Sequence, residues 1–209
     1  YDLSARLHLA HVSTRQEVDL IEQCCARWGG RLSMETAPHY LQLTHDAVLS
    51  FGANAKVNPP LRSDEDAAAV VDAVRRDLIG IIATDHAPHS SAEKAAGIDA
   101  APFGLIGLET ALAATATALQ PRNEEDWLKL LGKLTSSPAR LLGLRAGQLA
   151  VGEPADIAIV DPEVEWVVQP NRFQSKGRAT PYAGKTLQST VWGTVVSGEF
   201  VFREGRSLV

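Results

Sequence analysis

Apolar residues recur with two different periodicities along the first half of the chain. Short apolar or alternating runs, typical of β-strands, are each followed by stretches in which apolar positions recur every three to four residues, typical of helices. This repeated order predicts an α/β fold with parallel strands, because each strand must be reached through a crossover connection. The predicted strands are Leu7–Val12, Arg31–Thr36, Ala55–Asn58 and Ile79–Thr84.

Capping residues mark the helices between these strands. Ser13-Thr14 followed by Gln16-Glu17 is a capping-box signature for a helix that runs to Trp28, and Gly29-Gly30 is expected to end it. Ser63, followed by three acidic residues, is expected to cap the helix before the fourth strand. The helices predicted further along the chain are Leu105–Leu119, Glu124–Leu134 and one that begins at Ser136.

Three of the predicted strands end in a polar, reactive residue: His11, Asn58 and Asp85. A (β/α)₈ barrel gathers such residues at the carboxyl ends of its parallel strands, and a doubly wound open sheet would gather them in the same way. A barrel needs eight strands and about four are predicted, so half a barrel would expose its hydrophobic edge. Because the chain also begins with Tyr1 inside this pattern, we expect an upstream part of the protein.

The pattern changes near residue 144. Gly, Pro and Val replace Ala and Leu, and short β segments replace helices: Ala155–Asp161 alternates, and Val195–Phe202 is typical of a hairpin that turns at Ser197-Gly198. We therefore divide the chain into residues 1–144, the strand-and-helix region, and residues 145–209, a β-rich region.

Charge and composition narrow the classes of function. The chain has 209 residues, 45% of them hydrophobic, which is enough for a substantial core. Its net charge is −5 and its pI is about 5.7, so no basic surface is expected for nucleic acid. The apolar runs are too short to cross a membrane, and we expect no targeting segment. Cys24 and Cys25 are interpreted as buried thiols in a reducing cytoplasm.

The first candidate for chemistry is a histidine at a strand end. Side chains alternate along a strand, so His8 and His11, three residues apart, are expected to face opposite sides. His11 is placed at the carboxyl end of its strand, where barrels keep their chemistry, whereas His8 is expected to face the helical layer. A lone histidine on an apolar strand is more often a packed core residue, so His11 needs support from other residues.

That support comes from the stretch Thr84-Asp85-His86-Ala87-Pro88-His89. Asp85 follows an apolar strand and can both bind a cation and exchange a proton with a substrate. We interpret His86 as a packing residue and His89 as a loop residue that reaches a substrate. The alternative interpretation is an aspartate that braces the loop, with two histidines that have no chemical role.

Two further loops carry polar candidates. In Asn58-Pro59-Pro60-Leu61-Arg62 the prolines hold the Asn58 amide rigid as donor and acceptor, although Asn58 and Arg62 could simply brace the turn. His39 also follows a strand, and we interpret it as a packing or supporting residue rather than a metal ligand.

Together these segments resemble the C-terminal half of dihydroorotases, in the cyclic amidohydrolase group. The segment around Gly152 and Ala155-Asp156-Ile157-Ala158-Ile159 is similar to a β-sandwich strand of that group, and residues 175–182 resemble a C-terminal dihydroorotase signature. The motifs that carry the resemblance are His11-Val12-Ser13-Thr14, Glu35-Thr36-Ala37-Pro38-His39, Asn58-Pro59-Pro60-Leu61-Arg62, Thr84-Asp85-His86-Ala87-Pro88-His89 and Ala101-Pro102-Phe103-Gly104.

The resemblance implies both a fold and an activity. Residues 1–144 would be the C-terminal part of a (β/α)₈ TIM barrel of the metal-dependent hydrolase type, and residues 145–209 part of a small β-sandwich. The activity would be the zinc-dependent, reversible hydrolysis of dihydroorotate to N-carbamoyl-aspartate in de novo pyrimidine biosynthesis. A cytoplasmic homodimer is implied, with aspartate carbamoyltransferase as a further partner.

The resemblance also assigns roles to residues. His11 and Asp85 would each bind one ion of a zinc pair, and Asp85 would also carry the proton during catalysis. Asn58, His89 and the backbone of Phe103 and Gly104 would hold the substrate. The other metal ligands of the family, from its first, fourth and fifth strands, have no match in this chain. A catalytic zinc takes three protein ligands, so the chain alone is expected to bind metal poorly and to be inactive.

Two alternatives remain open. A hydantoinase or allantoinase of the same group would share the architecture, and His89 is our reason to prefer a substrate that bears a carboxylate. A non-catalytic, dihydroorotase-like partner of aspartate carbamoyltransferase would also lack metal ligands. We further expect the small and polar segment 90–101 to act as a mobile lid.

Overall fold

The computed structural model describes residues 4–208, which form two sheets and eight α-helices joined by turns and loops. The strands are β1 (Leu7–Leu9), β2 (Leu32–Thr36), β3 (Ile81–Ile82), β4 (Ile157–Val167), β5 (Thr186–Val196), β6 (Glu199–Arg203) and β7 (Arg206–Ser207). The helices are α1 (Arg15–Trp28), α2 (Pro38–Gln42), α3 (Asp46–Phe51), α4 (Asp64–Arg75), α5 (Ser91–Lys94), α6 (Ala111–Leu119), α7 (Glu124–Leu134) and α8 (Ser136–Leu142).

The predicted caps of α1 and α4 are confirmed. The Thr14 hydroxyl accepts the N–H of Glu17 at 3.1 Å, and the Glu17 carboxylate accepts the N–H of Thr14 at 2.8 Å. Ser63 and Asp66 form the same reciprocal pair at the start of α4. Gly29 ends α1 with a φ of 55°, a conformation that glycine adopts without steric cost. These ends are fixed locally, which explains why the sequence predicts them.

Strands β1, β2 and β3 form a parallel sheet in that order. One face is apolar: Leu9 and Met34 pack against Val18 of α1 and Val70 of α4. The opposite face is polar, and it carries His8 together with its neighbours on β2. The prediction that His8 faces the helical layer is therefore wrong, because Leu9, the next residue along β1, takes that side.

Two predicted elements differ from the structure in type or starting point, and the predicted strands Leu7–Val12 and Ile79–Thr84 are shorter, at Leu7–Leu9 and Ile81–Ile82. The predicted strand Ala55–Asn58 is a 3₁₀ turn, Gly52–Ala55, followed by irregular chain. Its neighbours Pro59 and Pro60 have no N–H with which to extend a strand ladder. The helix predicted from Leu105 begins at Ala111, after a 3₁₀ turn at Leu108–Thr110.

Strands β4 to β7 form an antiparallel sheet in sequence order. The predicted hairpin is confirmed between β5 and β6, where Ser197 and Gly198 both have positive φ (51° and 87°), as a tight hairpin turn requires. Helix α8 ends at Leu142, close to the predicted boundary at residue 144, which itself stays a prediction.

A second apolar core joins the helices and loops of the first region to the antiparallel sheet. Leu187 of β5 and Tyr182 before it are fully buried against Ala113 and Ala114 of α6 and against Leu105. The N–H of Gln188 also donates to the Thr117 hydroxyl of α6 at 2.9 Å. Residues from both regions therefore share one interior. Across residues 4–208, none of the helices has both the length and the apolar content needed to cross a bilayer.

Candidate active site

His11 lies just beyond the carboxyl end of β1, in a backbone conformation that is uncommon for residues other than glycine. Its φ is 60°, in the left-handed region. The next residue is held on both sides: the N–H of Val12 donates to the Glu35 carbonyl at 3.0 Å, and the Thr36 hydroxyl donates to the Val12 carbonyl at 2.7 Å. The neighbouring strand therefore fixes the turn that directs the His11 side chain, as predicted for a strand-end residue.

Asp85 occupies the corresponding position after β3. Its φ is 48°, so the two strand ends share the same unusual backbone. One carboxylate oxygen, Oδ1, lies 4.0 Å from His11 Nε2, and the other, Oδ2, lies 3.6 Å from His39 Nε2. Burial raises the pKa of Asp85; the His11 imidazole opposes this rise and the Glu35 carboxylate adds to it. Asp85 is therefore a better proton acceptor than a solvent-exposed aspartate.

His39 is the site residue that sequence analysis assigned to packing. It lies in the first turn of α2, which Pro38 begins directly after β2, and it is 1% exposed, with its ring 4.2 Å from that of Tyr40. Burial, together with His11, lowers the pKa of His39 to about 3. The imidazole is therefore neutral, and its contact with Asp85 is not an ion pair. The strand-end rule that selected His11 and Asp85 applies equally to His39 and could have found it.

The nitrogen and oxygen atoms of these three residues are of the types that bind a cation such as zinc. His11 Nδ1 and His39 Nε2 are buried and have no hydrogen-bond partner, and a neutral imidazole with a free lone pair is the form that binds metals. Asp85 adds a carboxylate between the two histidines. Within residues 4–208, however, no three His, Cys, Asp or Glu side chains are gathered closely enough to hold an ion. The chain therefore supplies suitable donors but not a closed metal site.

Glu35 links the polar face of the sheet to this cluster. Its Oε2 lies 3.2 Å from His8 Nε2 and its Oε1 lies 3.6 Å from His11 Nδ1. His8 Nδ1 contacts the Ser33 hydroxyl at 2.8 Å. The Glu35 carboxylate thus lies beside His8, on β1, and beside His11, just after that strand. Its negative charge favours a bound cation at this end of the sheet.

Asn58 lies on a loop beside α2. The Tyr40 hydroxyl donates to the carbonyl of Pro59 at 2.7 Å, so the helix that carries His39 also anchors the residue after Asn58. Burial raises the pKa of Tyr40, which keeps this hydroxyl protonated and able to donate. Asn58 itself is exposed, so its amide is accessible to a small molecule.

His89, Phe103 and Gly104 form a second group, on the loops that come after β3. His89 Nε2 donates to the Phe103 carbonyl at 2.9 Å, and the N–H of Gly104 donates to the Lys56 carbonyl at 2.9 Å. A Cβ at Gly104 would lie 2.6 Å from the Ala87 Cβ and 3.2 Å from His89 Nε2, so only glycine fits there. The sequence predicted these residues as substrate contacts, and the structure places them together.

His86 has the packing role that the sequence predicted. Its Nδ1 accepts the N–H groups of Gly107 and Leu108 at 3.1 and 3.3 Å, so this nitrogen is not available to a metal. The structure thus separates the two histidines of the Asp85 loop: one braces the chain before α6 and the other contacts the candidate substrate-binding turn.

Comparison with known proteins gives a consistent relationship. Residues 10–201 match the model of the amidohydrolase family. The chain is 45% identical to the dihydroorotase of Pelotomaculum thermopropionicum over 203 residues, which are 97% of this chain and 47% of that protein. It is 44% identical to the dihydroorotase of Bacillus caldolyticus over 200 residues, or 96% of this chain and 47% of that protein. The chain spans about half the length of the curated relatives it matches.

Solved structures show the same fold. The L-hydantoinase (dihydropyrimidinase) of Arthrobacter aurescens superimposes with a TM-score of 0.88 at 31% identity, covering 98% of this chain and 46% of that one. The dihydropyrimidinase of Brevibacillus agri NCHU1002 has the same TM-score at 23% identity, with the same coverage of both chains. These likenesses confirm the predicted fold class, part of a metal-dependent hydrolase barrel followed by a β region.

Proposed function

The chain belongs to the amidohydrolase family, and from this premise we propose that it supplies part of a dihydroorotase active site. The reaction would be the reversible hydrolysis of dihydroorotate to N-carbamoyl-aspartate, a step of pyrimidine synthesis. The observation that carries the proposal is the convergence of His11, His39 and Asp85 at one end of the parallel sheet. Support also comes from relatives named dihydroorotase at 44–45% identity.

Zinc is the metal that we propose for this site, with two ions in the complete enzyme. His11 and His39 would hold it through the two buried nitrogens that have no partner, and Asp85 would add a carboxylate. Bound zinc would lower the pKa of a water to near neutrality and polarise the substrate carbonyl. In the proposal, His39 joins the metal ligands His11 and Asp85 that the sequence predicted.

Asp85 is the proposed proton carrier. It would accept the proton of the attacking water and return it to the amide nitrogen as the ring C–N bond breaks. The raised pKa of this carboxyl supports the role, because a stronger base accepts the proton more readily. In the reverse direction Asp85 would remove the proton from the carbamoyl nitrogen before ring closure.

The substrate would lie between Asp85 and the second group of residues. His89 and the Asn58 amide are the proposed side-chain contacts, and the turn at Phe103 and Gly104 is the proposed main-chain contact. The Phe103 carbonyl and the Gly104 N–H are already bonded within the protein. The proposal therefore leaves the N–H of Phe103 and the carbonyl of Gly104 for the substrate.

A hydantoinase activity is the second candidate, and the likeness to the Arthrobacter aurescens L-hydantoinase favours it. The deciding test compares hydrolysis of dihydroorotate, hydantoin and allantoin by the complete protein that carries this chain. Preference for dihydroorotate supports the first proposal, and preference for hydantoin overturns it. A parallel assay of residues 1–209 alone should show little bound zinc and no turnover, because the chain offers an incomplete ligand set.

A non-catalytic partner of aspartate carbamoyltransferase is the remaining alternative. A complete protein that binds this enzyme and takes up no zinc at any loading would establish it. We also propose a homodimer in the cytoplasm, which light scattering and fractionation would test.

A further inference from the structure

The candidate substrate-binding turn is held by two lysines from different parts of the chain. Lys56, on the loop before Asn58, donates to the carbonyls of Asp99 and Ala101 at 3.2 and 2.7 Å. Lys94, the last residue of α5, donates to the Pro102 carbonyl at 2.9 Å. Both ammonium groups therefore bind main-chain oxygens of one short segment, residues 99–102.

Lys94 is buried to an unusual degree for a lysine. It is 6% exposed, and burial lowers its pKa, with a smaller contribution from Lys56 in the same direction. A buried ammonium is costly unless it is hydrogen bonded, and lysines usually extend their charged end into water. The Pro102 carbonyl is the partner that the structure gives to this charge.

Lys56 contacts the segment 99–104 at four points. Besides its two carbonyl partners, its ammonium lies 4.6 Å from the centre of the Phe103 ring, within the range of a cation–π contact. Its own carbonyl accepts the N–H of Gly104. Each residue from Ala101 to Gly104 is consequently bonded to an element outside the turn: to Lys56, Lys94, His89 and Lys56 again.

These contacts act on the site without touching the reacting atoms. We propose that Lys56 and Lys94 are positioning residues that fix the Ala101–Gly104 turn in the shape that receives the substrate. The inference rests on the proposed function, in which this turn contacts dihydroorotate. The same contacts attach the predicted lid, residues 90–101, to the rest of the protein in two places. One is Lys94, at the end of α5, and the other is the pair of carbonyls at residues 99 and 101 that Lys56 binds.

Amide hydrogen exchange tests the anchoring without any assay of activity. Lys94→Met and Lys56→Met keep an unbranched side chain that is one heavy atom shorter and remove its charge. Each should speed the exchange of the Ala101 and Gly104 amides at least about tenfold, the factor expected for the loss of a hydrogen bond to a charged group. The control Lys129→Met removes an exposed lysine that pairs with Glu125 on α7 and should leave these amides unchanged.

Steady-state kinetics of the complete protein test the link to substrate. KM for dihydroorotate should rise about tenfold in each variant, with kcat within about twofold and zinc content unchanged, because the chemical groups stay in place. An unchanged KM, or unchanged exchange with only a lower melting temperature, would overturn the proposal. A parent protein that does not hydrolyse dihydroorotate would instead overturn the proposed function, and the exchange experiment would still decide whether the lysines anchor the turn.

Discussion

The two sheets of this chain differ in the length of their strands and in their relation to the candidate site. The parallel strands β1, β2 and β3 are only three, five and two residues long, and the candidate site lies just beyond their ends. The antiparallel strands β4 and β5 have eleven residues each, and most of β4 is exposed or only partly buried. The sheet with fewer residues thus carries the candidate site, and the larger sheet carries no proposed site residue.

The difference arises from the connections that leave the strands. A parallel strand must leave the sheet through a loop, and these loops place His11, His39 and Asp85 at one edge. The turns between β5 and β6 and between β6 and β7 are tight, whereas residues 168–185 join β4 to β5, and none of these connections carries a proposed site residue. Strand β5 instead contributes Leu187, and the segment before it contributes Tyr182, to the core beside α6. Substitutions in the two regions should therefore separate catalysis from stability.

Asp85→Asn should give the largest effect. The amide cannot take up the proton, so kcat of the complete protein should fall by about a thousandfold, within the range typical of general acid–base catalysis. The fold should persist, as judged by circular dichroism. Asp161→Asn, in the antiparallel sheet, is the matched control and should keep full activity. Nearly unchanged turnover in Asp85→Asn would remove Asp85 from the proton role.

His39→Gln should mainly reduce metal binding. Substitution of a residue that only supports a metal ligand typically lowers metal affinity about 10- to 100-fold. Loss of a direct ligand should therefore lower zinc affinity at least about 100-fold. Competition with a zinc chelator would measure it. Unchanged zinc affinity together with a lower melting temperature would return His39 to the packing role that sequence analysis gave it.

Leu187→Ala should affect stability and leave the chemistry intact. Leu187 is fully buried in the shared core, and its truncation should lower the free energy of unfolding by about 3 kcal/mol, measured by urea denaturation. Leu149→Ala, at an exposed position, should change it by less than about 0.5 kcal/mol. Equal effects of the two substitutions would contradict the assignment of this core.

His89→Ala should give the smallest of these effects, a rise in KM of about tenfold with zinc content preserved, because one substrate contact is lost. The exposed His45, substituted by alanine, is the control and should leave KM unchanged. Loss of zinc from His89→Ala would identify His89 as a metal ligand and contradict its proposed role.

Local signals explain which elements the sequence predicts well. The caps at Thr14 and Ser63, helix α7 and the turn at Ser197-Gly198 each depend on residues within four positions of one another. They are specified by backbone hydrogen bonds and by the conformations of single residues. The structure reproduces all of them.

Long-range contacts explain what the sequence does not reveal. The segment 55–58 looks like a strand, but its hydrogen bonds go to Ala53 and to Gly104, and two prolines come after it. Likewise, the strand-end rule selects His39, but the local sequence does not indicate that its Nε2 meets Asp85, which is far away along the chain. The face that His8 occupies is set by the packing of Leu9 on α1 and α4.

The left-handed backbone at His11 and Asp85 limits the substitutions that these two positions tolerate. Glycine adopts positive φ most readily, asparagine, aspartate and histidine do so more often than other residues, and β-branched residues do so at a steric cost. A saturation library selected only for folding should therefore enrich glycine and asparagine at position 11 and asparagine beside aspartate at position 85. A library selected for turnover should return histidine and aspartate. The difference in residue frequencies between the two libraries would measure how strongly catalysis, rather than backbone conformation, determines the residue at each strand end.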